Sequence, residues 1–337
     1  MKEALFYQKL EGQKVKCELC PHNCLIVEGR RGVCGVRENQ EGKLLSLVYG
    51  KIIAAHVDPI EKKPLFHFLP GSRAYSIATV GCNFRCLFCQ NYDISQVSKQ
   101  YPDIIGEERS PEEVVEEALR NDCQSISYTY TEPTIFFEFA YDCARLAVQK
   151  GLKNNFVTNG YINPEPLKLI APYLQGANVD LKSFRDEFYK KVTGAFLEPV
   201  LSTLKLMVEL GIWVEVTTLL IPGLNDSMEE LTDIANFIKS ELGAEVPWHV
   251  SAFYPTYKMT DRPRTPAETL IKAREIGLKA GLKYVFVGNI PIAGSEDTYC
   301  RECQKLLIQR SGFQVLQNNI IKHHCSYCGV EIKGVWD

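Results

Sequence analysis

The strongest constraint on the fold is a repeated switch between two hydrophobic periods from about residue 75 to residue 290. Short runs rich in β-branched and aromatic residues at 75–80, 125–130, 155–158, 177–181, 213–221, 248–253 and 283–287 read as strands. Longer segments between them predict helices at 111–121, 135–149, 164–173, 199–210, 228–241 and 266–280. Ser110-Pro111-Glu112-Glu113 offers an N-cap, a proline at the first helical position and first-turn acids. Gly151, Gly211, Gly243 and Gly281 follow four helix ends, where a left-handed residue fits. Repeated βα units imply parallel strands with right-handed crossovers. The expected class is therefore α/β, a partial (β/α)6 barrel of the TIM type, with its site at the C-terminal ends of the strands.

Thirteen cysteines in 337 residues add a second constraint, because eleven fall into three groups. Cys82, Cys86 and Cys89 lie in Gly81-Cys-Asn-Phe-Arg-Cys-Leu-Phe-Cys-Gln-Asn91, directly after the first barrel strand. At this C-x3-C-x2-C spacing, three thiolates hold three irons of a [4Fe–4S] cube and leave the fourth without a protein ligand. An iron left open is a binding position for a small molecule. Zinc would want C-x2-C pairs and a fourth ligand, and neither Cys nor His follows closely after Cys89.

Cys17, Cys20, Cys24 and Cys34 fit one four-thiolate site, for which zinc and a second iron–sulfur cluster both remain open. Cys300, Cys303, Cys325 and Cys328 form two C-x2-C knuckles, predicting a zinc ribbon with an auxiliary cluster as the alternative. The two ends exchanging ligands is a further arrangement that spacing leaves open. Cys123 and Cys143, in apolar contexts, are expected as packed thiols. The expected layout is a Cys-rich metal-binding extension at 1–74, the barrel at 75–292 and a zinc-ribbon-like module at 293–337.

Charge and targeting narrow the function. The net charge of −3 and the absence of a long basic run argue against a nucleic-acid substrate. No apolar stretch approaches a membrane span, and the start lacks the apolar core of a signal peptide. Many cysteines without an export signal favour metal ligation in a reducing cytosol, so a cytoplasmic location is expected.

Polar residues at the strand ends are the candidates for contacts to a bound molecule: Glu132, Thr158, Asn159, Asp180 and Lys182. Alternation places Asp180 and Lys182 on one face of their strand, and a buried pair of opposite charges must pair or bind something charged. His249 lies on a strand, and Leu219-Leu-Ile-Pro-Gly-Leu-Asn-Asp226 reads as a turn with Asp226 as a candidate helix cap. The polar run 58–65, followed by His67, reads either as a surface loop or as a cover over the barrel mouth through Lys62, Lys63 and His67.

The triplet Cys82, Cys86, Cys89 resembles that of radical S-adenosylmethionine (SAM) enzymes. The match widens with Cys17-x2-Cys-Pro-x2-Cys24, Gly32-Val-Cys-Gly-Val-Arg37, Asp58-Pro-Ile-Glu-Lys-Lys-Pro-Leu65, Gly81-Cys-Asn-Phe84 and Cys89-Gln-Asn91. Together these runs resemble the radical SAM component of the AmmeMemoRadiSam system, which is related to pyruvate formate-lyase activating enzymes. The resemblance implies an oxidoreductase in which S-adenosylmethionine chelates the open iron and is reductively cleaved to a 5′-deoxyadenosyl radical that abstracts hydrogen. It implies a contact from Glu132 to the cofactor's amino group, an Asp180-x-Lys182 pair like that of glycyl-radical activases, a strand histidine, His249, near the substrate and Asn289 at the adenine wall; Thr158 and Asn159 join the candidate cofactor contacts from their place at the strand end. Only Glu132-Pro133 of the family's Gly-Gly-Glu-Pro segment is present. A protein or peptide substrate is expected, by glycyl-radical activation or side-chain modification, with a small molecule or RNA as the alternative. A metal-dependent scaffold or electron carrier is the reading outside radical chemistry. Implied partners are Memo-like and AMMECR-like proteins and an electron donor of flavodoxin or ferredoxin type.

Overall fold

All seven expected strands form one sheet, with an eighth strand that the sequence did not announce. The computed structural model describes residues 1–101 and 103–337. The sheet contains β1 (Ala54–Pro59), β2 (Arg73–Ala78), β3 (Ser125–Tyr128), β4 (Lys153–Thr158), β5 (Gly176–Asp180), β6 (Trp213–Leu220), β7 (Trp248–Ala252) and β8 (Val285–Gly288). Its order runs β8-β7-β6-β5-β4-β3-β2-β1, so β1 and β8 are its edges. Strands β2 to β8 are mutually parallel, and β1 alone pairs antiparallel, opposite β2. The additional strand has a physical explanation: His56, Asp58 and Pro59 break any apolar alternation, and pairing with β2 decides its conformation.

The helices expected from the apolar period are all present: α1 (Pro111–Arg120), α2 (Phe137–Gln149), α3 (Pro164–Ile170), α4 (Leu197–Glu209), α5 (Met228–Phe237) and α6 (Ala267–Ala280). Each fills a crossover between parallel strands, as the rule for βα units requires. Ser110 closes a full capping box: its Oγ accepts from Glu113 N at 3.2 Å, while Glu113 Oε2 accepts from Ser110 N at 2.7 Å. Ser227, rather than the expected Asp226, caps α5 through Glu230 N. Asp226 instead accepts from Gly223 N at 2.8 Å and closes the preceding turn. The sheet's apolar residues, among them Ile77, Ile126, Phe156, Val179, Val216, Val250 and Val287, are buried. Burial of each such side chain contributes roughly 1.5–3 kcal/mol. Cys143 and Cys123 are buried, as expected of packed thiols.

Small antiparallel sheets flank this core. The N-terminal residues form two of three strands each, one of them Lys2–Glu3, Lys43–Ser46 and Arg37–Gln40. They are tied to α2 by a buried ion pair, Arg37 Nη2 to Glu138 Oε1 at 2.7 Å. The C-terminal residues form Thr298–Tyr299, Leu306–Ser311 and Gln314–Asn318, of which the last two lie between the knuckles. The expected boundary at 74/75 falls inside β2, and β1 belongs to the central sheet although it precedes that boundary. Among the described residues, no helix is long and apolar enough to cross a membrane.

Glu215, in the middle of β6, is wholly buried and fastens the 66–67 segment to the sheet. Its Oε1 accepts from His67 N (2.7 Å) and Trp213 Nε1 (3.1 Å), and its Oε2 accepts from Phe66 N (2.9 Å) and faces His249 Nε2 at 2.6 Å. Burial alone would raise its pKa, but His249 and these donors outweigh it and hold the carboxyl below its ordinary value. Glu215→Ala leaves buried donors and His249 without a partner, so it is expected to lower unfolding stability by roughly 3–5 kcal/mol. A urea titration checks this, and an unchanged midpoint contradicts it.

Candidate active site

A single cavity of about 480 Å³ opens at the C-terminal ends of the parallel strands, a size usual for small-molecule sites. Cys82, Cys86 and Cys89 enter it from the loop after β2. Thr129 and Tyr130 follow β3, Thr158 and Asn159 end β4, and Asp180 and Lys182 end β5. Thr217 on β6, His249 and Ser251 on β7 and Asn289 after β8 complete the circuit.

The cysteine loop is pinned on several sides. Gly81 starts it at φ 103°, and a Cβ there would stand 2.7 Å from Val36 Cγ1, so only glycine fits. Arg85 N donates to Thr193 O at 2.8 Å and Leu87 N to Val192 O at 3.0 Å. Asn83 Nδ2 donates to Tyr161 O at 2.9 Å, and Asn159 Nδ2 to Asn83 Oδ1 at 2.8 Å. Around the sulfurs, Phe84 N points at Cys82 Sγ from 3.3 Å, and Ser95 Oγ lies 3.2 Å from Cys89 Sγ. Burial pushes the Cys82 and Cys86 thiols up, Cys86 to about 12. The positive charge of Lys182 works against burial at Cys86, as Lys99 does at both thiols.

Most of the residues singled out in the sequence meet at this wall. Lys182 Nζ and Asp180 Oδ2 pair at 2.8 Å. Burial disfavours the Lys182 charge, yet Asp180 and Cys86 outweigh it and hold the ammonium above its ordinary pKa. His249 reaches the cavity while Glu215 holds its Nε2. Asn289 has φ 62° and donates to Ala252 O at 3.2 Å.

Glu132 departs from the expected direct contact. It is fully buried and does not line the cavity. Its Oε1 accepts from Thr134 N (3.0 Å), Thr134 Oγ1 (2.7 Å) and Thr158 Oγ1 (2.7 Å), and its Oε2 from Asn159 N (2.8 Å). Through these four bonds Glu132 orients Thr158 and Asn159 from behind the wall. His67 departs as well: it is buried under the C-terminal module, between Lys333 O (3.2 Å) and Thr298 Oγ1 (3.3 Å).

The structure adds Asp58 and Tyr130, which sequence reasoning did not single out. Asp58 accepts from Lys62 (2.8 Å), Lys63 (2.7 Å) and the Tyr130 hydroxyl. Although burial opposes it, these donors hold Asp58 well below the usual carboxylate range. Burial pulls Lys63 down to about 8 against the pull of Asp58, and Lys63 Nζ also sits 4.5 Å from the Tyr130 ring centroid. Lys62, Lys63 and Tyr130 line the cavity. The polar run 58–65 was the signal for the lysines; nothing local marked Tyr130.

The C-terminal tetrad is compact. Cys300 and Cys328 Sγ atoms are 3.6 Å apart, and those of Cys303 and Cys325 are 3.8 Å apart. Four thiolates around one zinc at about 2.3 Å stand about 3.8 Å from one another. The tetrad therefore closes on itself, and neither His323, facing Asp337 at 3.5 Å, nor His324, on Lys322 O, is needed. Among the described residues it is the one group of three or more His, Cys, Asp or Glu ligand atoms all within 4.8 Å of one another. Cys82, Cys86 and Cys89 are thus spread more widely than ligands of a single ion. A zinc in this tetrad predicts that Cys325→Ala removes one zinc per chain, read by elemental analysis, and lowers the thermal midpoint, because structural zinc contributes folding free energy. Retained zinc or an unchanged midpoint contradicts this.

Comparison with known proteins fits this geometry. Residues 76–238 match the family model of the radical SAM superfamily. The chain is 50% identical over 335 residues to an uncharacterized protein of Methanocaldococcus jannaschii, covering 98% of this chain and 99% of that protein. It is 26% identical over 179 residues to a pyruvate formate-lyase-activating enzyme of Clostridium pasteurianum, covering 50% of this chain and 72% of the relative. In fold it resembles Streptococcus suis SuiB solved with S-adenosylmethionine, with a TM-score of 0.52 at 14% identity, over 72% of this chain and 56% of SuiB. Three separated thiols beside the aromatic rings of Phe84 and Phe88, on one wall of a cavity, suit the [4Fe–4S] cluster and S-adenosylmethionine that this domain implies. The chain is an enzyme of the radical SAM superfamily, related to the activating enzymes of glycyl-radical proteins.

Proposed function

We propose that the chain cleaves S-adenosylmethionine reductively at a [4Fe–4S] cluster held by Cys82, Cys86 and Cys89, and uses the 5′-deoxyadenosyl radical to abstract hydrogen from a protein or peptide. The observation that carries the reading is that one cavity gathers these three thiols with a paired Asp180 and Lys182. The cluster supplies the electron and the open iron; the protein supplies binding, orientation and exclusion of water. Lys182, its charge kept by Asp180, would receive the cofactor's carboxylate. Thr158 and Asn159, braced by Glu132, form the polar wall beside it. Asn289 and the backbone after β8 form the adenine side, and Phe84, Phe88 and Phe66 keep the interior dry.

The activating-enzyme relatives support a macromolecular substrate. The runs at 17–37, 58–65 and 81–91 support placement in the AmmeMemoRadiSam system, with Memo-like and AMMECR-like partners and a flavodoxin- or ferredoxin-type donor. We assign the extension before β1 and residues 293–337 as metal modules flanking the radical SAM core.

Anaerobic reconstitution followed by dithionite and S-adenosylmethionine is expected to yield 5′-deoxyadenosine and methionine. Cys86→Ala abolishes both products. Lys182→Met keeps the cluster's visible absorbance but weakens S-adenosylmethionine roughly 10–100-fold, the range for losing one hydrogen bond to a charged group. An inert wild-type mixture, or full product from Cys86→Ala, contradicts the reading.

A further inference from the structure

The N-terminal cysteines occupy a second site that is unlike the C-terminal one. Cys17, Cys20, Cys24 and Cys34 all line one cavity, whose wall is otherwise mostly apolar. All four thus face one enclosed space. Yet no three of their sulfurs lie within 4.8 Å of one another, whereas the C-terminal sulfurs do. A single zinc draws four thiolates to about 3.8 Å spacing. A four-iron cube binds each thiolate to a different iron and holds the sulfurs farther apart. The same chain thus carries both spacings, one compact and one expanded.

An independent observation concerns Arg37, which also lines this cavity. Arg37 is 1% exposed, and its Nη2 is satisfied by Glu138 and Leu5 O. Its Nε and Nη1 have no hydrogen-bond partner. Two buried, unpaired guanidinium N–H groups beside four thiols call for an acceptor within the cavity. The sulfurs of an anionic cluster supply it. His22 Nε2 is bonded to Asn83 O at 2.8 Å, and the four thiols fill the site without His22.

We infer that Cys17, Cys20, Cys24 and Cys34 bind a second [4Fe–4S] cluster, complete in its four protein ligands, rather than zinc. This site adjoins the loop of Cys82, Cys86 and Cys89. Ser98 Oγ donates to Cys34 O at 3.2 Å, and the position of a Cβ on Gly81 is 3.1 Å from the same carbonyl. Lys99 lies within the electrostatic reach of Cys34 on one side and of Cys82, Cys86 and Cys89 on the other. With its four irons capped by protein, the second cluster has no position for S-adenosylmethionine. The inference uses the proposed function only for the identity of its neighbour.

The test is an iron, sulfide and zinc count on the anaerobically reconstituted full chain, with electron paramagnetic resonance after reduction. Wild type is expected to hold about eight irons and eight sulfides, with one zinc. Adding S-adenosylmethionine alters one of two reduced-cluster signals. The combined Cys82→Ala, Cys86→Ala, Cys89→Ala variant keeps about four irons, giving a signal indifferent to S-adenosylmethionine. Cys20→Ala with Cys34→Ala keeps about four irons, whose signal still responds to it. A triple variant with no iron and a second zinc overturns the inference, as does a wild type with a single, S-adenosylmethionine-sensitive cluster. Four irons in the triple variant, with no 5′-deoxyadenosine from wild type, would uphold the second cluster and sink the proposed function.

Discussion

The structure depends on holding three thiols apart on one short loop while leaving the space in front of them open. A loop of this kind would collapse if only its own sequence held it. Here Asn83 and Asn159 bond to each other and Asn83 to Tyr161 O; Arg85 and Leu87 hydrogen-bond the 192–193 segment, and Gly81 lets the chain turn against Val36. The sheet contributes by aiming the C-terminal end of every parallel strand at one cavity. Burial makes the bare Cys82 and Cys86 thiols costly to ionise, so the loop is poised for metal rather than for free thiolate chemistry.

Two sets of charges play different parts. Glu215 and Glu132 have their carboxylates occupied by protein donors and act by fixing other residues: Glu215 secures the segment under the C-terminal module, and Glu132 aligns the end of β4. Asp180 and Lys182, paired with each other, and Lys62 and Lys63, both paired with Asp58, remain on the cavity wall. Pairing lets them be buried without losing charge. This second set is placed to meet a ligand.

Most of the architecture was legible in the sequence because periods of 2 and 3.6 residues are local signals. The seven parallel strands, six helices and the capping box at Ser110 follow from them. What was hidden depends on distant partners. β1 is a strand because β2 lies beside it, not because its own residues alternate. Glu132 reads as a ligand until Thr158 and Asn159, 26 and 27 residues away, take its oxygens. Tyr130 gains its place from Asp58, 72 residues earlier. Spacing found every cysteine group, but the distinction between a compact and an expanded tetrad is a matter of sulfur separation, which spacing does not encode.

The central claim is that one iron beside Cys82, Cys86 and Cys89 is left for S-adenosylmethionine to ligate. Electron–nuclear double resonance on the reduced enzyme with 15N-labelled methionyl amine tests it most directly. The account predicts a hyperfine coupling between that nitrogen and the cluster spin, lost in Cys86→Ala. A wild-type spectrum without the coupling, from a sample shown to have S-adenosylmethionine bound, would contradict it.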